Sequence, residues 1–449
     1  MTFISNFFKK SPEEEEQKKI VKQARVVVTS FSDSLKKNAG KILFEIMQKN
    51  DLLDVAYYAD NLSASEQEIN SKNLLGIQDF SMRVFRKIPT DVIIFGHQEK
   101  EKICLNFITY GEYEELSAKS FRVLDCIYLP LDFFENSQKY EDLFANIITG
   151  AVLLCKKNYT AESKARQKSM LRSVISFFEK NEEAKNLPHY SMPYMLSFLA
   201  AIYFEYSRDN IDRRTFELIK YMLENALKQK ENLVKKIHIA PLYIRIGDLF
   251  AHAAQNMHID SLTCYKKSVQ AYKLAQGYLM KNEYPYDYAQ IAYLLSQTYF
   301  AQWNYTENLD ALSQAVALLR EVEKIYTEKL FPASWAKVEH ELGYYLSVMG
   351  NYTGSPEVLN LAIQNMSNAQ KVFYADKYPF IWLDVQADIG RIYYFIGKKY
   401  HNVEALKQAE RKFRDAIMLC EIKNIEGERR KIDTDLAKTV ELLYLEDNK

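Results

Sequence analysis

The sequence has no excess charge of either sign: 59 Lys plus Arg balance 59 Asp plus Glu, interspersed apart from short runs. With no positive field to draw in a phosphate backbone, nucleic acid is not an expected partner. Cysteine is scarce as well. Cys104, Cys126, Cys155, Cys264 and Cys420 are an odd number, lie far apart and include no C-x-x-C pair, so neither a zinc clip nor a disulfide framework is written here. They are expected to be reduced and mostly buried, in a cytoplasmic protein. No stretch approaches the roughly 18 apolar residues that a spanning helix needs. The nearest, Ile147 to Leu154, is broken by Thr149 and Gly150.

The amino terminus lacks a signal-peptide core: Met1 to Lys10 carries Phe3, Ile4, Phe7 and Phe8, and Glu13 to Glu16 follow at once. Two readings of this segment stand, a frayed or packed terminus and a peripheral toe-hold on the inner membrane face, with Lys9 and Lys10 beside anionic lipid.

Signatures of chemistry are missing too. The 13 glycines form neither G-x-G-x-x-G nor a Walker A loop, and the seven histidines no H-E-x-x-H. His252 and His258 stand six apart, on different faces of a continuing helix. His97 follows Gly96 at an expected strand end, where α/β sheets often present ligand groups, but has no nucleophile or acid nearby in sequence. Glu114-Glu115 and Glu182-Glu183 fall in loops or on solvated faces and are no evidence for acid and base work. The expectation is a non-enzyme that holds neither cofactor nor metal.

What is present is a folded chain: 449 residues at 48% hydrophobic content allow two or three domains. Ser11-Pro12-Glu13-Glu14 reads as a helix start with a capping box, and the helix is expected to run to about Val28. Helices are then expected at Ala39 to Gln48 and Ser65 to Arg86. Strands are expected at Leu53 to Tyr58, Asp91 to Gly96, Lys102 to Tyr110 and Phe121 to Leu129, the last three as a meander. The resulting partition is an N-terminal helical segment over 1–34, a small α/β domain over 35–135, connecting helices over 136–190 and helical repeats over 191–449. The order of elements, with Thr90-Asp91-Val-Ile-Ile-Phe-Gly96 and Ile103-Cys-Leu-Asn-Phe-Ile108, resembles the TolB-amino-terminal-like domains that precede tetratricopeptide repeats in some bacterial proteins.

From about Lys139 onward the pattern is helical, and the sequence repeats itself every 47 residues. Tyr288, Trp335 and Trp382 are 47 apart, as are Leu295-Ser296, Leu342-Gly343 and Ile389-Gly390, and Asn304-Tyr305-Thr306 recurs as Asn351-Tyr352-Thr353. In the second helix of each unit Ala315, Ala362 and Ala409 form one column, Leu319, Met366 and Phe413 another, and Val322, Ala369 and Ala416 a third. Small residues let two helices approach while the large one fills the gap beside them, and one hairpin alone would leave an apolar face wet. Ile246-Gly247 with Tyr272 and Ala275 fits an earlier unit, and a more degenerate one begins near Ser191.

A Leu-Gly pair, an aromatic three residues on, and a small, large and small residue along the second helix are similar to the tetratricopeptide pattern over about 190 to 427. The period of 47 exceeds the usual 34. Longer bacterial variants with Trp-Ala near the start of a unit look closer, and Trp335-Ala336 matches them. HEAT or armadillo repeats remain the alternative α-solenoid. The fold class expected is mainly α, a helical-repeat solenoid behind a small α/β domain.

The tetratricopeptide resemblance implies an adaptor or scaffold that holds a peptide or helix of another protein on its first helices. The groove positions it implies are Gln290, Tyr293 and Gln297, then Lys337, His340 and Tyr344, then Asp384, Arg391 and Tyr394. The alternative is a small-molecule-sensing or cryptic enzymatic α/β domain regulated by the repeats, with a pocket at the carboxyl ends of the Val92 and Ile103 strands.

Overall fold

The run Ala24-Arg-Val-Val-Val-Thr29, expected to close a helix, is a strand in the computed structural model, which describes residues 24–33, 35–67, 72–109, 125–155, 161–182, 186–257 and 259–447. Three successive β-branched valines favour the pleat, and this strand, β1 (Ala24–Thr29), lies inside the sheet. Its residues Val26, Val27 and Val28 are at most 1% exposed, the continuous apolar signature of a strand covered on both faces. The segments Met1 to Lys10 and Ser11 to Lys22 lie outside the described residues.

The sheet continues with β2 (Leu53–Tyr58), β3 (Val92–Glu99), β4 (Lys102–Thr109) and β5 (Cys126–Pro130), in the order β2-β1-β3-β4-β5. β1 pairs in parallel with β2 and β3, and β3, β4 and β5 form the expected antiparallel meander. Helix α1 (Ala39–Met47) connects β1 to β2, and α2 (Leu74–Lys87) connects β2 to β3. The second was expected from Ser65, but Ser65 to Gln67 are turn. Residues alternate across the sheet: Ile103, Leu105 and Phe107 enter the main core with Ile127 and Leu129, whereas Cys104, Cys126 and Tyr128 face the other side. That main core is roofed by α1, α4 (Glu141–Cys155), α5 (Ala161–Lys180) and α6 (Met192–Ser207), after the short α3 (Leu131–Glu135). Helix α7 (Arg213–Lys228) pairs with α6.

The chain divides into two compact units, the first ending at Arg245 and the second beginning at Ile246. The second is built of helical hairpins: α8 (Ile239–Asn256) from Ile246 on with α9 (Ser261–Gly277), α10 (Pro285–Thr306) with α11 (Leu309–Glu323), α12 (Pro332–Thr353) with α13 (Pro356–Gln370), and α14 (Pro379–Tyr400) with α15 (Val403–Lys423). A last helix, α16 (Glu426–Asp447), follows. We call the first helix of each hairpin A and the second B. Pro285, Pro332 and Pro379 start the A helices, each behind an aromatic residue, where a missing N–H costs nothing. The A helices end on left-handed residues Glu307, Gly354 and His401, and Asn308, Ser355 and Asn402 cap the B helices. These stops are again 47 apart.

Every member of the three B-helix columns is at most 1% exposed. A Cβ on Gly343 would meet Met366 Cγ at 2.6 Å and the Ala362 carbonyl oxygen at 2.9 Å, and one on Gly390 would strike the Phe413 ring at 2.7 Å. The mid-helix glycines are therefore the price of close A–B packing rather than flexibility. All five cysteines are free and buried. Among the described residues no helix is long and apolar enough to cross a membrane.

Candidate functional site

The nine groove positions implied by the sequence lie on A helices α10, α12 and α14, and contacts from one A helix to the next join most of them into a row. Its first station departs from expectation. Tyr293 is 1% exposed, so its ring offers no flat contact to a partner: its hydroxyl donates to Glu341 Oε1 on α12, and Gln297 Nε2 donates to that hydroxyl at 3.0 Å. Lys337 Nζ lies 5.0 Å above the Tyr293 ring. Burial raises the pKa of Glu341 against the opposing hydrogen bond from Tyr293 and the charge of Lys337, and burial lowers that of Lys337 against the opposing pull of Glu341. Glu341 Oε2 is enclosed without a hydrogen-bond partner. Gln290, half-buried, donates from Nε2 to the Tyr326 hydroxyl at 3.5 Å.

The row then rises to the surface. Tyr344 is 43% exposed, set edge-on to Phe300 of α10 at 5.6 Å, and Phe300 stacks on Tyr345 at 4.0 Å. His340 Nε2 stands 3.6 Å from Asp388 Oδ2 on α14. Arg391, exposed, donates from Nη1 to Asp388 Oδ1 and from Nε to Asp435 Oδ2 of α16, both at 2.9 Å. Asp384 is exposed beside them; partial burial of its carboxyl, then repulsion from Asp388 and Glu428, hold its pKa above the ordinary value. Tyr394 is half-buried, with Lys398 Nζ 6.0 Å above its ring. The surface left open is one aromatic ring followed by acidic and basic groups held in fixed pairs.

Sequence reasoning did not single out Glu341, Asp388 and Asp435, the partners that fasten one A helix to the next. Nor did it find Glu339, 1% exposed, which accepts from Asn365 Nδ2 at 3.2 Å and Asn368 Nδ2 at 3.0 Å. Burial, with the neighbouring Glu323 carboxyl adding, raises its pKa to about 7 against the hydrogen bond from Asn368.

The alternative site requires strands that share an edge. β3 and β4 are antiparallel, so their carboxyl ends lie at opposite ends of the sheet and cannot line one pocket. His97 is buried, its Nδ1 3.1 Å from Gln67 Oε1. On the same sheet face the Tyr194 hydroxyl accepts from the Val234 N–H at 3.0 Å and lies 2.6 Å from His238 Nδ1, while His238 Nε2 is 3.7 Å from Cys126 Sγ. Burial first, then the charge of Lys235, lowers the His238 pKa to about 3. The adjoining cavity measures about 20 Å³, room for about one water. A separate open cleft of about 610 Å³ runs along α1, with Leu35, Ile42, Ile46 and Phe134 as floor and Lys36 among its rim. Among the described residues no group of three or more His, Cys, Asp or Glu is placed to hold a metal ion. His258 lies outside the described residues.

No protein-family model matches the chain, and no curated protein matches it. Solved structures with a partial likeness include BtubC (BKLC) from P. vanneervenii, with a TM-score of 0.36 at 16% identity over 60% of this chain and 94% of that one. Another is the S. pombe nuclear import adaptor Nro1, with a TM-score of 0.32 at 15% identity over 64% of this chain and 91% of that one.

Proposed function

We propose that the chain is a non-enzymatic, cytoplasmic protein-binding scaffold, and that its second unit docks a peptide or helix of another protein on the A-helix face. The architecture we infer for that unit is a tetratricopeptide variant of bacterial type with a long repeat. The observation that carries the docking reading is the Tyr344 ring, 43% exposed, braced by Phe300 and followed on the next helix by the exposed Asp384 and Arg391. Aromatic and Arg side chains already fixed by their neighbours lose little freedom on binding, which is why such residues anchor interfaces. Full-length protein used to capture partners from lysate, against the Tyr344→Ala/Arg391→Glu variant, tests it. A specific partner lost from the variant at unchanged helicity is expected; partners indifferent to both changes refute the site.

A second reading, a small-molecule sensor in the first unit, draws on the cleft beside α1, whose 610 Å³ falls in the range of ligand sites, roughly 300–1,000 Å³. A thermal shift on adding small acidic metabolites, absent from Lys36→Ala, would support it, and no shift across such a panel would remove it.

A further inference from the structure

The last helix, α16, repeats the A-helix register but presents to solvent the side that each earlier A helix turns to its B helix. In the two preceding A helices that side is marked by glycines. Gly343 and Gly350 of α12 face Met366 and Leu359 of α13, and Gly390 and Gly397 of α14 face Phe413 and Leu406 of α15. Forty-seven residues beyond Gly390 and Gly397 stand Ala437 and Tyr444. The opposite side of α16 is packed as its register requires: Ile432, Thr439 and Leu443, 47 residues on from Val385, Ile392 and Ile396, are 2%, 0% and 8% exposed. The B-facing side is open instead, with Ala437 exposed, Val440 41%, Tyr444 70% and Leu445 52% exposed. Positions 437, 440 and 444 fall on one stripe of a helix, so these residues form a single apolar strip.

We propose that this strip is a second docking surface, and that its occupant is one amphipathic helix of another protein lying where a B helix lies in the earlier units. The earlier hairpins state the chemistry of that occupant. Each B helix sets a large apolar residue over the small A-helix position, with Ala four residues before it and Ala or Val three residues after: Ala315-Leu319-Val322, Ala362-Met366-Ala369, Ala409-Phe413-Ala416. The Ala437 methyl leaves a shallow seat for such a residue, and Val440 and Tyr444 extend it along the next two turns. The seat continues the A–B packing of the repeats. At its rim Lys438 and Glu441, both exposed, offer one charge of each sign to a helix that carries the complement. This surface uses none of the residues of the A-helix row, so it stands or falls separately from that site.

The chain supplies its own probe. A labelled peptide of sequence 403–423, the B helix α15, is titrated with full-length protein and followed by fluorescence anisotropy. Ala437→Leu fills the seat while keeping the position apolar and helix-favouring, so folding is not at stake. Saturable binding that weakens at least tenfold in Ala437→Leu, and likewise when the peptide carries Phe413→Ala, is the result expected. Absence of saturable binding overturns the proposal. So does binding indifferent to Ala437→Leu, which would mean that the peptide displaces the native α15. So does a wild-type dimer in sedimentation that Ala437→Leu turns monomeric, which would make a second copy the occupant.

Discussion

The two units each bury an ionisable group in the state that burial favours, and they do so with opposite proton linkage. In the first, His238 is held as a neutral base, its pKa lowered to about 3. In the second, Glu339 is held as a neutral acid, its pKa raised to about 7. A histidine that resists protonation when folded contributes stability present above its ordinary pKa and lost as the pH falls from 6.5 toward 3. A carboxyl that prefers its proton when folded contributes stability present below 4.5 and lost as the pH rises toward 7. Desolvation is the main cause in both, so the same force makes one unit sensitive to acid and the other to base.

The comparison breaks most sharply at the buried ion pair of the first unit. Arg245 Nη1 lies 2.6 Å from Asp125 Oδ1, with side chains 9% and 8% exposed. Asp125→Ala leaves a buried guanidinium without its carboxylate, and chemical denaturation should show a loss of about 3–5 kcal/mol. In the second unit the largest effect should come from bulk rather than charge. Gly343→Leu drives a side chain into Met366 and the α13 backbone and should lose about 3 kcal/mol or more. Ala437→Leu, at the exposed counterpart of Gly390 on α16, should stay within about 0.5 kcal/mol. Thermal melts of both variants side by side would show whether the B-facing side of α16 is vacant.

Glu339→Gln sharpens the proton comparison. An amide mimics the protonated acid, so this variant should be about 1–3 kcal/mol more stable than wild type at pH 8 and equal to it at pH 4.5. Denaturation at the two pH values reads this directly, and a variant no more stable at pH 8 would show that Glu339 carries charge in the folded state. The smallest effect is expected at the surface: Arg391→Ala removes the contacts to Asp388 and Asp435 but should cost under about 1 kcal/mol, because the arginine is exposed. A larger loss would make the row a structural clamp rather than a docking face.

Much of the second unit was legible because its packing repeats. A small residue at 296, 343 and 390 opposite a large one at 319, 366 and 413 states the A–B contact in the sequence itself. The contacts between successive A helices were not legible. Tyr293 to Glu341 and His340 to Asp388 span 48 residues and Arg391 to Asp435 spans 44, so they run diagonally to the period and depend on how neighbouring helices cross. Tyr293 was assigned to the groove for the same reason: the stripe facing the next A helix and the stripe facing solvent are about one turn apart. In the first unit, β1 was hidden by the charged, helix-favouring residues ahead of it, although Val26-Val27-Val28 is the composition of a strand covered on both faces. The cluster of Cys126, Tyr194 and His238 joins positions up to 112 residues apart and left no local signal.

The central claim is that partners dock on the A-helix face of the second unit. The most direct measurement places a photo-crosslinking amino acid at Tyr344 in the full-length protein, with Tyr221 of α7, 63% exposed, as the control position. Discrete protein adducts from position 344, absent from position 221 and lost when Arg391→Glu is added, are the result predicted. Adducts equally abundant at both positions, or none at 344, would contradict it.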